Sequence, residues 1–162
     1  MIEGTETNRA VVAGIEHYLH QTGKLLKIIS QQQNAEELLA VQLAPDAFDT
    51  GFHLAVAIRF AARALCFPAG LPMPDIAEPC SLPTLQVLYQ EVCDAINSAP
   101  DINWDSEVEH VAGDIQLKQH TADYIVIFAY PNMLFHFSQA YAGLRNSGLN
   151  IGKADFDGLH QY

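Results

Sequence analysis

An all-α protein is predicted by this sequence: an up-down four-helix bundle with a long loop between helices two and three and a small hairpin or irregular excursion before helix four. Three observations carry that prediction. Apolar residues recur at three- and four-residue steps along most of the chain. Five prolines, Pro68, Pro72, Pro74, Pro79 and Pro83, interrupt the period in one place. The last periodic stretch closes on Arg145-Asn146-Ser147-Gly148, where glycine supplies a left-handed exit. The 162 residues suit one domain, residues 1–162. A chain of that size buries about two thirds of its unfolded surface without disulfides or a structural metal.

The first helix is read over residues 6–33, with Val11, Ile15, Tyr18, Thr22, Leu25, Leu26 and Ile29 on one face and His17 and His20 on the solvated side. A short turn or helix over 35–43 leads to Pro45-Asp46, an N-terminal signal for a second helix running to about Phe67. That helix carries two apolar stripes. Leu54, Ile58, Ala61 and Leu65 form one, and His53, Val56, Ala57, Phe60 and Ala64 form the other, with Arg59 and Arg63 between them. One stripe is read as core and the other as a homodimer interface, although a central helix in a monomer carries the same pattern.

The proline-rich segment 68–83 is read as a long surface loop, and Ser81-Leu82-Pro83 as the start of a third helix that ends near Ser98. Its single apolar face is Leu85, Leu88, Tyr89, Val92 and Ile96. Residues 99–120 are polar and acidic, and Ile115 and Leu117 alternate with Gln116 and Lys118 after Gly113-Asp114, so a hairpin fits better than a helix. Thr121-Ala122-Asp123 offers a cap for helix four, and Pro131 inside it either kinks one long helix or marks a later start.

Composition narrows the function classes. A net charge of -11 and a pI near 4.8, with no basic cluster, make nucleic acid and anionic membrane poor partners. Cys66, Cys80 and Cys93 are odd in number and lack any Cys-x-x-Cys spacing, as expected of reduced thiols in a cytoplasmic protein. The opening residues Met1 to Asn8 show no targeting pattern, and no apolar run is read as approaching the ~20 residues of a membrane span. Nucleophile-elbow, phosphate-loop, dinucleotide and repeated Glu-x-x-His patterns are all missing from the sequence.

The most informative stretch is Tyr130-Pro131-Asn132-Met133-Leu134-Phe135-His136. On a helix, Ile125, Ala129, Asn132, His136, Ala140 and Gly143 share one narrow sector, so an amide and an imidazole stack on a strip of mostly small residues. Taken by residue type alone, such a histidine is a core group bonded to a carbonyl or a neighbouring amide.

Pro131 to His136, Ala140-Tyr141, Leu144-Arg145, Gly148 and the trailing Ile151-Gly152-Lys153-Ala154-Asp155-Phe156-Asp157-Gly158 resemble the C-terminal signature of a domain-of-unknown-function family, DUF number 1993. That family lies in the DinB/YfiT-like superfamily of four-helix bundles, and Leu43-Ala44-Pro45-Asp46-Ala47-Phe48 resembles its entry to helix two. The resemblance implies a three-histidine site for Zn or Ni with an open position, one ligand from helix two and two from a His-x-x-x-His on helix four. In members with known activity, such a metal activates a low-molecular-weight thiol or water.

Carried over residue by residue, the metal candidates are His53 and His136, and Asn132 stands where the remaining histidine is expected. A carboxamide is a poor replacement for imidazole around zinc, so the weight lies against a stoichiometric metal. Asp49, one turn before His53, either orients that ring, completes a two-histidine, one-carboxylate set, or is simply a helix-start acid. Gln139 matches a family glutamine and joins His53, Asn132, His136 and Asp49 as a pocket candidate. Tyr141 and Arg145 are read as packing and capping groups. Lys153, Asp155 and Asp157 either close the bundle mouth or tether the tail by exposed ion pairs. His110, His120 and His160 lie in loops or at the terminus with no partner spacing. Catalysis is left open. A small-molecule-binding protein or metal-dependent transferase- or hydrolase-like enzyme stands against a noncatalytic dimer with a packed polar core.

Overall fold

The computed structural model describes residues 4–161, so Met1, Ile2 and Glu3 of the opening segment lie outside the described residues. Helix α1 (Gly4–Ser30) ends a little earlier than the periodicity suggested, in a turn closed by Gln31 and Gln32 amides on the Ile28 and Ile29 carbonyls. Ile15, Thr22, Leu25, Leu26 and Ile29 of its predicted face are buried. The short helix α2 (Ala35–Leu39) buries Leu38 and Leu39.

The second long helix, α3 (Thr50–Leu65), starts later than Pro45-Asp46 indicated. Those residues instead form a turn, in which the Ala47 amide donates to the Ala44 carbonyl and the Gln42 side-chain amide donates to the Ala47 carbonyl. Asp49 then pairs as an isolated bridge with Gln42 and caps the helix, its carboxylate accepting from the Phe52 amide at 2.7 Å. Proline fixes an entry angle but leaves the orphan N–H groups unsatisfied. The residue that satisfies one sets the true start.

Both apolar stripes of α3 are covered from within the chain: Leu54, Ile58, Ala61 and Leu65 are buried, and so are His53, Ala57, Phe60 and Ala64. The helix lies centrally, against α1, α4 (Leu82–Ser98) and α6 (Tyr130–Asn146). Of the second stripe only Val56 remains partly exposed, so that stripe is mostly core. By length and composition alone, Thr50–Ala69 is also apolar enough to cross a membrane, contrary to the reading above, and 61% of its most apolar window is buried in the protein, as in a core helix.

Helix α4 is capped by the Ser81 hydroxyl with proline in its first turn, as its sequence implied. Strands β1 (Glu107–Ala112) and β2 (Ile115–His120) form an antiparallel hairpin, with Glu107 opposite His120 and Ala112 opposite Ile115, around Gly113 at φ 58°. The last long helix runs unbroken through three conformations: a helical turn, α5 (Thr121–Asp123), a π-helical stretch (Tyr124–Ala129), and α6. Thr121 does not cap it, because its hydroxyl donates to the Ser106 carbonyl in the preceding loop. Pro131 neither breaks it nor starts it. In the widened turns ahead of Pro131 the Tyr130 amide reaches back five residues to Ile125, which gives the donorless ring a place in a continuous helix. The chain leaves through Gly148, at φ 89°, into α7 (Lys153–Asp157). Phe156 of α7 stacks on Phe137 and touches Tyr18 and Tyr141, closing the tail against α1 and α6.

Candidate functional site

The site is set by the antiparallel register of α3 and α6. Gly143 lies against Thr50, whose hydroxyl oxygen would be 2.4 Å from any Cβ added to the glycine, and at the other end the Tyr124 hydroxyl donates to the Arg63 carbonyl at 3.0 Å. Between those anchors His53 meets His136, with their Nδ1 atoms 2.9 Å apart and ring centroids at 5.1 Å. Phe60 stacks on His136 at 6.0 Å and 16°. Phe48 and Phe135 present edges to His53 at 6.1 and 6.4 Å.

This apolar casing acts on the charge of both rings. Burial lowers the His53 pKa, and the Asp49 carboxylate partly opposes it. Burial, then the neighbouring His53, pushes His136 down to about 4. The pair is therefore neutral at pH 7, and one ring must donate Nδ1–H to the bare Nδ1 of the other.

Of the expected pocket residues, the structure brings together His53 and His136 and sets Asp49 at the end of α3. Asn132 is turned aside. Its amide nitrogen donates to the Phe128 carbonyl of its own helix at 2.7 Å, in the widened region before Pro131. Gln139 is half-buried and makes no hydrogen bond to either ring. Next to His53, a cleft of about 340 Å³ is lined by Phe48, Asp49, Phe52, Glu78 and Cys80 among others. All three cysteines are free, and burial raises each thiol pKa, so none is an activated nucleophile.

The donor set does not fit the three-histidine metal site that the resemblance implies. Among the described residues no group of three or more His, Cys, Asp or Glu side chains is arranged to hold an ion. Asn132 ties its amide nitrogen to the Phe128 carbonyl and brings no imidazole, and Asp49 spends a carboxylate oxygen on the Phe52 amide. Tetrahedral zinc with ~2.0–2.1 Å bonds would also hold two nitrogens about 3.3 Å apart, wider than the observed 2.9 Å, which suits a shared proton.

Two histidine environments escaped the sequence reading. His110, placed there in a loop, is buried on β1, bonded through Nε2 to Gln119 and packed on Tyr124 and Phe128, with its Nδ1 unpartnered. The alternation Glu107-Val108-Glu109-His110-Val111 was the available signal. Where the tail packs on α1, His17, read as solvated, bonds through Nε2 to the Asp157 carbonyl at 2.7 Å. The Asp157 carboxylate accepts from the Leu159 and His160 amides and pairs with the His160 ring. Those contacts, the Leu159 amide first, hold its carboxyl below the usual carboxylate range. The tail is thus tethered through the buried Asp157, by backbone hydrogen bonds and by its pairing with the exposed His160 ring.

A family model described as a domain of unknown function, DUF1993, matches residues 9–157. Among solved structures the chain is similar to the crystal structure of a DinB family member protein from Shewanella denitrificans. The TM-score is 0.74 at 20% identity, covering 93% of this chain and 91% of that one, a likeness of fold. No curated protein matches in sequence.

Proposed function

The chain belongs to the DUF1993 family, and from that premise we propose that it is a small-molecule-binding protein of the DinB-like four-helix-bundle type whose working group is the His53–His136 pair. One observation carries this reading: the 2.9 Å Nδ1 to Nδ1 contact between two neutral rings. Such a contact fixes opposite tautomers. The donating ring keeps a bare Nε2, and the accepting ring keeps Nε2–H. The pair thus offers one acceptor and one donor at the two far ends of the joined rings, and a neutral hydrogen-bonding ligand on an apolar body engages one of them. Phe48, exposed beside the cleft, and Phe135 supply apolar surface for that body. If the ligand is also a substrate, a proton taken at one Nε2 can be matched by release of the Nε2–H at the other end, with the shared proton passing from one Nδ1 to the other.

A noncatalytic reading is favoured by a different observation. Asn132 and both rings are already hydrogen-bonded within the chain, as in a packed polar core.

Long-range proton–nitrogen NMR of the imidazoles, followed through a titration with small amides and hydroxyketones, separates the two. The expected result is one ring in each tautomer, with a binder shifting both Nε2 resonances and lost in His136→Ala. Binders indifferent to His136→Ala would favour the packed core. One tightly held transition metal per chain after tag-free purification, absent from His136→Ala, would overturn the proton-sharing pair.

A further inference from the structure

Between residues 124 and 144 the sequence has no Asp, Glu, Lys or Arg, in a chain whose net charge is -11. Within that stretch the exposed residues are Val126, Ile127, Pro131 and Phe135, all apolar, and Ile127 and Phe135 remain 65% and 54% exposed. Ile127, Pro131 and Phe135 recur every four residues along one outer face, where a solvated helix ordinarily carries its charges. The face is not short of neighbours that could have covered it, since the hairpin packs instead on Tyr124 and Phe128 through His110.

We propose that this outer face of the last long helix is a self-association surface whose occupant is the same face of a second copy of the chain. The charge pattern selects that occupant. In a two-fold interface each residue near the axis meets its own copy, so any charge there meets a like charge. A surface for a differently charged partner has no such requirement, and this strongly acidic chain has acidic residues in ample supply with which to mark one. Two copies that each carry -11 repel over about one Debye length, ~10 Å at 0.1 M salt, and approach most cheaply through a face without charge. Phe135 sits at once on this face and beside His53, so the second copy would cover part of the rim of the histidine pair.

Sedimentation equilibrium of the full chain across a concentration and salt series tests this. A dimer is expected whose affinity rises with salt as the mutual repulsion is screened. Ile127→Glu and Phe135→Glu should each weaken it by about tenfold or more, with an unchanged helical circular dichroism spectrum, while Val87→Glu, on the exposed side of α4, should leave it unaltered. A chain that stays monomeric throughout overturns the proposal and leaves the face to another partner. So does a dimer indifferent to both glutamates, or one that weakens as salt rises. If a glutamate variant unfolds, Ile127→Ser and Phe135→Ser take its place under the same criteria.

Discussion

Histidine serves two flanks of α6 under opposite electrostatics. Between α3 and α6, His53 and His136 face each other inside a phenylalanine casing with no bonded carboxylate, and lose their charge to burial. Where the tail meets α1, His160 faces a carboxylate, Asp157, and His17 bonds to the backbone of the same residue. The first arrangement disfavours an added proton, because burial penalises the charged ring. The second is organised by a carboxylate that also accepts from two backbone amides. Imidazole chemistry is thus decided by what stands opposite the ring, and the neutral pair joins an acid and a base through one hydrogen bond.

The comparison is most strongly tested by His136→Ala. It leaves His53 Nδ1 buried without a partner and a gap beside Phe60, so urea unfolding should report a loss of about 2–3 kcal/mol. The double substitution with His53→Ala should cost less than the sum of the singles, because each removes the same hydrogen bond. Additive losses would mean that the rings do not act as a pair.

A smaller effect is expected from pH. The folded His136 pKa lies below its unfolded value of about 6.5, so its contribution is fully present above that pH and is lost as pH falls toward about 4, where unfolded rings bind protons and the folded ring does not. After discounting for the solvent that still reaches His136, the loss should be roughly 1 kcal/mol. It should shrink in His136→Ala to the part owed to His53, and a stability flat across that interval in the native chain would remove the desolvation argument. Asp157→Asn should act least and only locally. It weakens the acceptor for the Leu159 and His160 amides, and their hydrogen exchange should quicken by about an order of magnitude with the histidine pair unaffected.

Much of this was legible in the residues themselves. Period 3.6 marked the long helices, the serine and proline at Ser81-Leu82-Pro83 marked the start of α4, and Gly113-Asp114 marked the hairpin. The meeting of His53 with His136 followed from the resemblance, since no local pattern links residues so far apart in sequence. Other features were hidden for physical reasons. The start of α3 depended on which acid, Asp46 or Asp49, could reach an orphan amide, a question of backbone path. Asn132 looked like a pocket group because a regular helix was assumed, whereas the widened turn before it offers the Phe128 carbonyl to its amide. The second stripe of α3 resembled an interface because periodicity shows that a face is apolar and says nothing of what covers it.

The π-helical stretch has a consequence for phase. Ile125, Ala129, Met133 and Phe137 are all buried at steps of four, and in a purely α-helical rod each such step overshoots a full turn by about 40°. Over three steps the inner wall would swing well away from α3. The wider turn gives back part of that rotation, acting as a vernier that keeps Tyr124 at one end and Phe137 at the other both buried. The backbone setting there, more than the residues around His136, determines which wall of the helix looks inward and which is left to the solvent.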